Sequence, residues 1–279
     1  MYKIQSGNVI ERYKAWKSGT PGKKRGGRMK GSSTMKKVEQ NRQGAVRRLA
    51  RVLNANFTHR DFLLTMKYDN EHLPADWEGH ERDRALVLER IKKRLKKLGL
   101  PAARCVSLCA NRDGKTGREV RRHVHAVISG DAIRFDGGVW RLGEVPLDNV
   151  WGKGSVDVAQ LWDQDDYTGL AVYLLRQART DKADWKQYHT SRNMVRPVAE
   201  EETALTGREL RAPKGAKVLE NHYDARSGSG YIRYVKTGRR KAAEAGEADC
   251  HGASRLAMTG KSGHPGNDGK QPGGKGGEK

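Results

Sequence analysis

The sequence predicts an α+β fold, an antiparallel sheet with helices covering one face, and three observations carry that prediction. Short apolar segments of strand character, at residues 62–68, 103–110, 121–130 and 155–160, are interspersed with longer stretches of helical period. The two middle strands are separated only by NRDGKTG, residues 111–117, a turn-rich link that makes them antiparallel neighbours. Large apolar residues concentrate in residues 33–237, between Gly- and Lys-rich ends.

Taken in order, residues 1–32 read as a basic, flexible arm. The first 60 residues hold 16 Lys or Arg against only Glu11 and Glu39, and KSGTPGKKRGGRMKGSS, residues 17–33, is rich in glycine. A helix should begin near Ser33 or Thr34, with Val38, Ala45, Val46, Leu49, Val52 and Leu53 as its apolar positions. Its opposite face carries Arg42, Arg47, Arg48 and Arg51, a pattern equally suited to solvent and to DNA. FLLTMKY, residues 62–68, is a buried strand closed by the polar turn DNEHLP. The next helix, residues 82–98, has an apolar stripe of Leu88, Ile91, Leu95 and Leu98. Its other positions are crowded with cations, among them Lys92, Lys93 and Lys96, and Gly99 and Pro101 end it. After the hairpin and a short strand, Asp165 and Asp166 mark the start of a last helix over residues 167–179. Residues 238–279 have almost no large apolar side chains and read as a disordered tail.

Composition narrows the function. A formal net charge of +22 over 279 residues points to a polyanionic partner, nucleic acid first, although a ribosomal-type basic protein would share it. No apolar run reaches membrane-spanning length and the N-terminus lacks a signal-peptide core, so no membrane partner and a cytoplasmic location are expected. The three cysteines, Cys105, Cys109 and Cys250, have no zinc-ribbon spacing.

The chemistry concentrates in RRHVHAVISG, residues 121–130. On a strand His123 and His125 fall on one face and Val124, Ala126 and Ile128 on the other, the latter facing the helices. Two imidazoles on a rigid strand can hold a divalent metal if a third ligand arrives from elsewhere. The last helix, YTGLAVYLLRQART, brings Tyr173 onto one face with Arg176 and Gln177, at i+3 and i+4. A phenol has a pKa near ~10 and needs cationic help to act as a nucleophile, which Arg176 is placed to give.

TMKYDNEHLP, HVHAVISG and GLAVYLLRQ, in this order and spacing, resemble the rolling-circle replication initiators of phages and plasmids. These belong to the endonucleases with a His-hydrophobic-His metal site and a catalytic tyrosine (HUH endonucleases), whose core is ferredoxin-like, similar to that of RNA-recognition domains. The resemblance covers about residues 62–198. It matches Thr65, Lys67, Tyr68 and Asp69 to the first motif, His123 and His125 to the metal pair, and Tyr173 to the nucleophile, with Arg176 in place of the family's lysine. The family's third metal ligand is often a Glu on the strand before the histidines. Here that strand ends Leu108, Cys109, Ala110, Asn111, leaving Glu119, Asn111 or Asp113 as candidate substitutes, or a metal held by the two histidines with water and phosphate oxygens.

The resemblance implies nicking of single-stranded origin DNA with Mg²⁺ or Mn²⁺, through attack by Tyr173 to give a 5′-phosphotyrosine link and a free 3′-hydroxyl. Lys67, Arg121, Arg122, Lys92, Lys93 and Lys96 would contact DNA. The sequence has no GxxxxGK[ST] signature, so a host helicase and polymerase are the expected partners. Other readings stand beside this one: a transposase or mobilisation relaxase of the same histidine chemistry, a water-using metal nuclease, and a non-catalytic nucleic-acid-binding protein.

Overall fold

The computed structural model describes residues 1–14, 35–178, 186–203, 210–224 and 228–236. All lie in the first of two units, Met1–Arg240 and Lys241–Lys279. The elements in order are β1 (Tyr2–Ser6), β2 (Val9–Lys14), α1 (Met35–Asn56), β3 (Phe62–Tyr68), α2 (Trp77–Lys97), β4 (Cys105–Arg112) and β5 (Glu119–Ile128). Then follow β6 (Ile133–Asp136), β7 (Val139–Leu142), β8 (Val145–Pro146), α3 (Leu147–Trp151), β9 (Gly154–Gln160) and α4 (Thr168–Gln177). The last are β10 (His189–Thr190), β11 (Glu200–Glu201), β12 (Lys217–Asp224) and β13 (Ser229–Val235). The class is α+β with antiparallel sheets, as the sequence predicts.

The central sheet has the order β10-β4-β5-β3-β9, every pair antiparallel. The alternation of β5 sets its two faces. Val124, Ala126 and Ile128 join Leu64 and Met66 of β3 under Trp77, Val87, Ile91 and Leu95 of α2. Helix α2 starts about a turn earlier than its apolar period suggests, because the Asp76 carboxylate accepts a hydrogen bond from Gly79 N at 2.6 Å. Its end is as read: Gly99 follows with φ of 68°.

One expectation is corrected here. Helices cover both faces of the central sheet, not one. On the face of His123 and His125, Leu49 and Leu53 of α1 and Ala171, Leu174 and Leu175 of α4 bury Val106, Leu108, Ala110 and Val127. The physical reason lies in β4, whose first six residues are all buried, so both of its faces need cover.

A second correction concerns the N-terminus. Residues 1–14 are not part of a flexible arm. They form the β1–β2 hairpin inside a second sheet of order β11-β1-β2-β13-β12. Gly7 turns the hairpin with φ of 60°, and a Cβ there would meet the Asn54 carbonyl oxygen of α1 at 2.2 Å, so only glycine fits. The sheet is fastened to α1 by Arg51, whose guanidinium donates twice to Glu11 at 2.8 and 2.6 Å, and by Arg47, which donates to Glu220 at 2.8 Å. Thus two arginines of the basic α1 face pair with the second sheet, while Arg48 stays exposed. The glycine-rich stretch at residues 17–33, the Ser33/Thr34 start signal and the tail at 238–279 lie outside the described residues. No described helix is long and apolar enough to cross a membrane.

Candidate active site

The histidines are built into the middle of the central sheet. Register places Thr65 of β3 and Leu108 of β4 on either side of His125, and Lys67 and Ala110 on either side of His123. Helix α4 lies across them. Asp166 sets its start, its carboxylate accepting from Thr168 N at 3.1 Å and from Thr168 Oγ1 at 2.8 Å. Its far end is pinned by an antiparallel bridge between Ala178 and Ala110, the β4 residue opposite His123. That bridge brings Gln177 directly over the pair.

Three ligand atoms then converge. His123 Nε2 and His125 Nε2 are 3.1 Å apart, and Gln177 Oε1 is 3.3 Å from the first and 3.1 Å from the second. The ring tautomer of His123 follows from its other nitrogen. Nδ1 lies 2.9 Å from the Arg121 carbonyl oxygen, which can only accept, so Nδ1 carries the proton and Nε2 presents a lone pair. His125 Nδ1 is 3.1 Å from Thr65 Oγ1, a hydroxyl that can donate or accept and so orients the ring without fixing its tautomer. With the His125 proton on Nδ1, the two imidazole nitrogens and the amide oxygen present three lone pairs that could hold a cation; with it on Nε2, His125 donates to Gln177 Oε1 across the same 3.1 Å.

His125 is a neutral imidazole at neutral pH. Burial, followed by the neighbouring His123, pushes the His125 pKa down to about 4. The ring is 1% exposed, and a neutral buried imidazole is the state a metal requires. The edges also suit a metal. Bonds of ~2.1 Å place neighbouring donors about 3.0 Å apart in octahedral and about 3.4 Å apart in tetrahedral geometry. Two imidazole nitrogens and one hard carbonyl oxygen therefore fit Mn²⁺ well and Mg²⁺ less well.

Tyr173 stands one turn before Gln177, its ring centroid 5.8 Å from that of His125 and tilted by 59°. The β4–β5 loop closes over it. Gly114 is buried against the ring, so that a Cβ there would sit 2.9 Å from Tyr173 Cε2 and 3.4 Å from Gln177 Cδ. The loop's shape comes from Asp113, whose carboxylate accepts from Lys115 N, Thr116 N and Thr116 Oγ1 at 3.1, 2.6 and 2.8 Å.

The structure brings together His123, His125 and Tyr173, with Lys67 beside them and ion-paired to Asp157. It separates the other candidates. Glu119 is four strand residues before His123, roughly 13 Å along β5, and accepts instead from Asn111 Nδ2 at 3.2 Å. Asp113 is spent on its loop. Among the described residues no three His, Cys, Asp or Glu side chains group as metal ligands. The side chain that joins the histidine pair is instead the amide of Gln177, which sequence reasoning places on the tyrosine's face without giving it a role.

Arg176 is exposed on α4 with no ion pair among the described residues. Arg121 donates to Asn70 Oδ1 at 2.8 Å and to the Asp69 carbonyl, and Arg122 donates to the Pro74 carbonyl at 2.6 Å, so both tie β5 to the turn after β3. Lys92, Lys93 and Lys96 are exposed on α2, across the sheet from the histidines, and are not part of this site.

No protein-family model matches the chain, and neither the curated proteins nor the solved structures give a match. Its fold and site therefore stand on their own geometry.

Proposed function

We propose that the chain is a metal-assisted tyrosine transesterase that nicks single-stranded DNA, and that it starts rolling-circle replication of the element that encodes it. In this reading the central sheet with α1, α2 and α4 is the ferredoxin-like core of a His-hydrophobic-His endonuclease. The observation that carries it is the convergence of His123 Nε2, His125 Nε2 and Gln177 Oε1 within 3.3 Å, with Tyr173 one helical turn from Gln177.

His123, His125 and Gln177 would hold Mn²⁺ or Mg²⁺, which when bound polarises a phosphate and offsets the charge that develops on it. The protein's own residues do the rest. The Arg121 carbonyl holds His123 in the ligating tautomer, Thr65 orients His125, and the Asp113–Gly117 turn packs Gly114 against the Tyr173 ring. Tyr173 Oη forms a bond to phosphorus as the bond from phosphorus to the 3′ oxygen breaks. The phenol's proton leaves to solvent and the 3′ oxygen takes one up, leaving a 5′-phosphotyrosine and a 3′-hydroxyl. Bond energy is conserved, so the reverse step reseals the strand without a nucleotide. Lys67 and the exposed Arg176 are the cations available to the DNA backbone near this point. Unwinding and synthesis fall to a host helicase and polymerase.

The test is a covalent-adduct assay with labelled single-stranded DNA from the protein's own element and Mn²⁺. A denaturation-resistant adduct that needs metal and is lost in Tyr173→Phe and His125→Ala is expected. Cleavage without an adduct would refute the tyrosine mechanism in favour of a water nucleophile. Neither cleavage nor adduct would leave a basic binding protein.

A further inference from the structure

The second sheet carries an aromatic row that the nicking chemistry does not use. Its register sets Tyr2 opposite Tyr13, Tyr13 opposite Tyr231 and Tyr231 opposite His222, so four rings stand side by side on one face across β1, β2, β13 and β12. Tyr2 and Tyr13 stack with centroids 5.2 Å apart and planes 24° from parallel. Cross-strand aromatic pairs are ordinary sheet glue, and that alone would explain two of the rings. The surroundings go further. Between the row and α1 opens a cleft of about 700 Å³, lined by Tyr13, Tyr231, His222, Lys14, Arg47 and Arg51, with Asp224 the one acid among the described lining residues. Arg47 lies 4.7 Å over the Tyr231 ring. Glu11 and Glu220 sit behind it, already held by Arg51 and Arg47. Beyond Lys14 the sequence adds eight more Lys or Arg residues, from Lys17 to Lys37, before the next acid, Glu39.

We infer that this cleft is a second DNA contact, in which a base of single-stranded DNA stacks on Tyr13 beside the Arg47-covered Tyr231, while Lys14 and the exposed part of Arg47 meet the adjoining phosphates. The volume lies within the ~300–1,000 Å³ of ordinary ligand clefts, room for a stacked base with its sugar and phosphate. A single strand is the occupant favoured because only unpaired bases offer their faces to a ring, and a stacking site of this kind tolerates any sequence. The inference deepens the reading of the chain as a single-strand nicking enzyme and rests on it. Helix α1 stands between the two places, with Leu49 and Leu53 on the central sheet and Arg47 and Arg51 on the second. The cleft therefore holds a flank of the strand and not the scissile phosphate. A tethered second contact raises the occupancy of the first without touching its chemistry.

The experiment uses the full chain with Tyr173→Phe, so that DNA is not consumed, and fluorescent dT20 in chelator-treated buffer. Tyr13→Ala is expected to weaken binding about five-fold or more, and Tyr13→Phe to hold it within about two-fold, since stacking needs the ring and not the hydroxyl. In parallel, dT20 carrying 5-iododeoxyuridine is irradiated with the chain whose second sheet is unaltered, and the crosslinked peptides are mapped. Crosslinks at Tyr13 or Tyr231 support the cleft. Unchanged affinity in Tyr13→Ala, or crosslinks confined to other parts of the chain, overturn it. The two readings separate cleanly. Adduct formation without crosslinks in the cleft removes the cleft alone, whereas crosslinks at Tyr13 in a protein that forms no adduct keep the cleft and remove the nicking reading.

Discussion

Replacing Gly114 with alanine tests how the nucleophile is held. The new methyl would lie 2.9 Å from Tyr173 Cε2, 3.0 Å from Cδ2 and 3.4 Å from Gln177 Cδ. Carbon atoms rest about 3.5–4.0 Å apart, so the ring or the loop must yield by roughly 0.6–1 Å. The loop resists, because Asp113 accepts three hydrogen bonds within it and Asp113 N donates to the Arg118 carbonyl at 2.8 Å. The helix resists as well, since Leu174, Leu175 and Ala178 around the tyrosine are buried in the core. Overpacking of this kind costs about 1–3 kcal/mol, less about 0.4–1 kcal/mol gained by stiffening the unfolded chain, so stability should fall by about 1–2 kcal/mol. Function should fall further. A displacement near 1 Å at a reacting group costs on the order of 100-fold, and adduct formation should drop ten- to a hundred-fold. Mn²⁺ affinity should drop less, because Gln177 meets the methyl at a nearly ordinary distance. Gly117→Ala is the control. Its φ is 71° with nothing within 4 Å, so it strains the same loop without touching the ring. It should cost similar stability and leave adduct formation within about two-fold. Adduct rates, Mn²⁺ titration and thermal unfolding of both variants decide the matter. If Gly114→Ala forms adduct as fast as the parent, the loop does not position Tyr173 and the argument fails.

Gln177→Ala removes the third donor and should weaken Mn²⁺ binding about ten-fold or more, whereas Gln177→Glu, which adds a charge at the same corner, should tighten it. Calorimetric titration checks both, and unchanged affinity in Gln177→Ala would remove the amide from the site. Stability should fall on acidification through His80, whose ring burial holds at a pKa of about 4 against about 6.5 unfolded. The unfolded state then binds the proton first. The contribution is complete above pH ~6.5 and is lost towards pH ~4, amounting to about 3 kcal/mol at most. Neither ring nitrogen has a hydrogen-bond partner among the described residues, so His80→Leu orphans nothing. Urea unfolding at pH 7 and pH 5 should differ less in that variant than in the parent, and equal slopes would refute the assignment. Arg51→Ala strands the Glu11 carboxylate, 2% exposed, and should cost about 3 kcal/mol, with Glu11→Gln in the same background recovering part of it. A loss under about 1 kcal/mol in denaturant unfolding would show the second sheet to be loosely attached.

What the sequence made legible was what is local. The strand at residues 62–68, the alternation of β5, the turn after β4 and the glycine that ends α2 are all written within a few residues of where they act. The helix cover on both sheet faces was written too, though more faintly. CVSLCA has no polar alternation, and an unbroken buried strand implies two covered faces. The second sheet was hidden for a different reason. VIERYK at β2 looks like a charged arm because Glu11 and Arg12 interrupt it. Glu11 is buried because Arg51 of α1 and the Tyr231 hydroxyl answer it, and β2 is a strand because residues 229–235, more than 200 positions away, pair with it. The candidate site divides along the same line. His123 and His125 declare themselves by spacing, and Tyr173 by its helix. Gln177 is an unremarkable helix residue until the bridge between Ala110 and Ala178 fixes the end of α4 to the strand beside His123. A search for acids around a histidine pair looks for charge. Here the group that completes the cluster is a neutral oxygen, buried, aimed by the backbone and within 3.3 Å of both imidazoles.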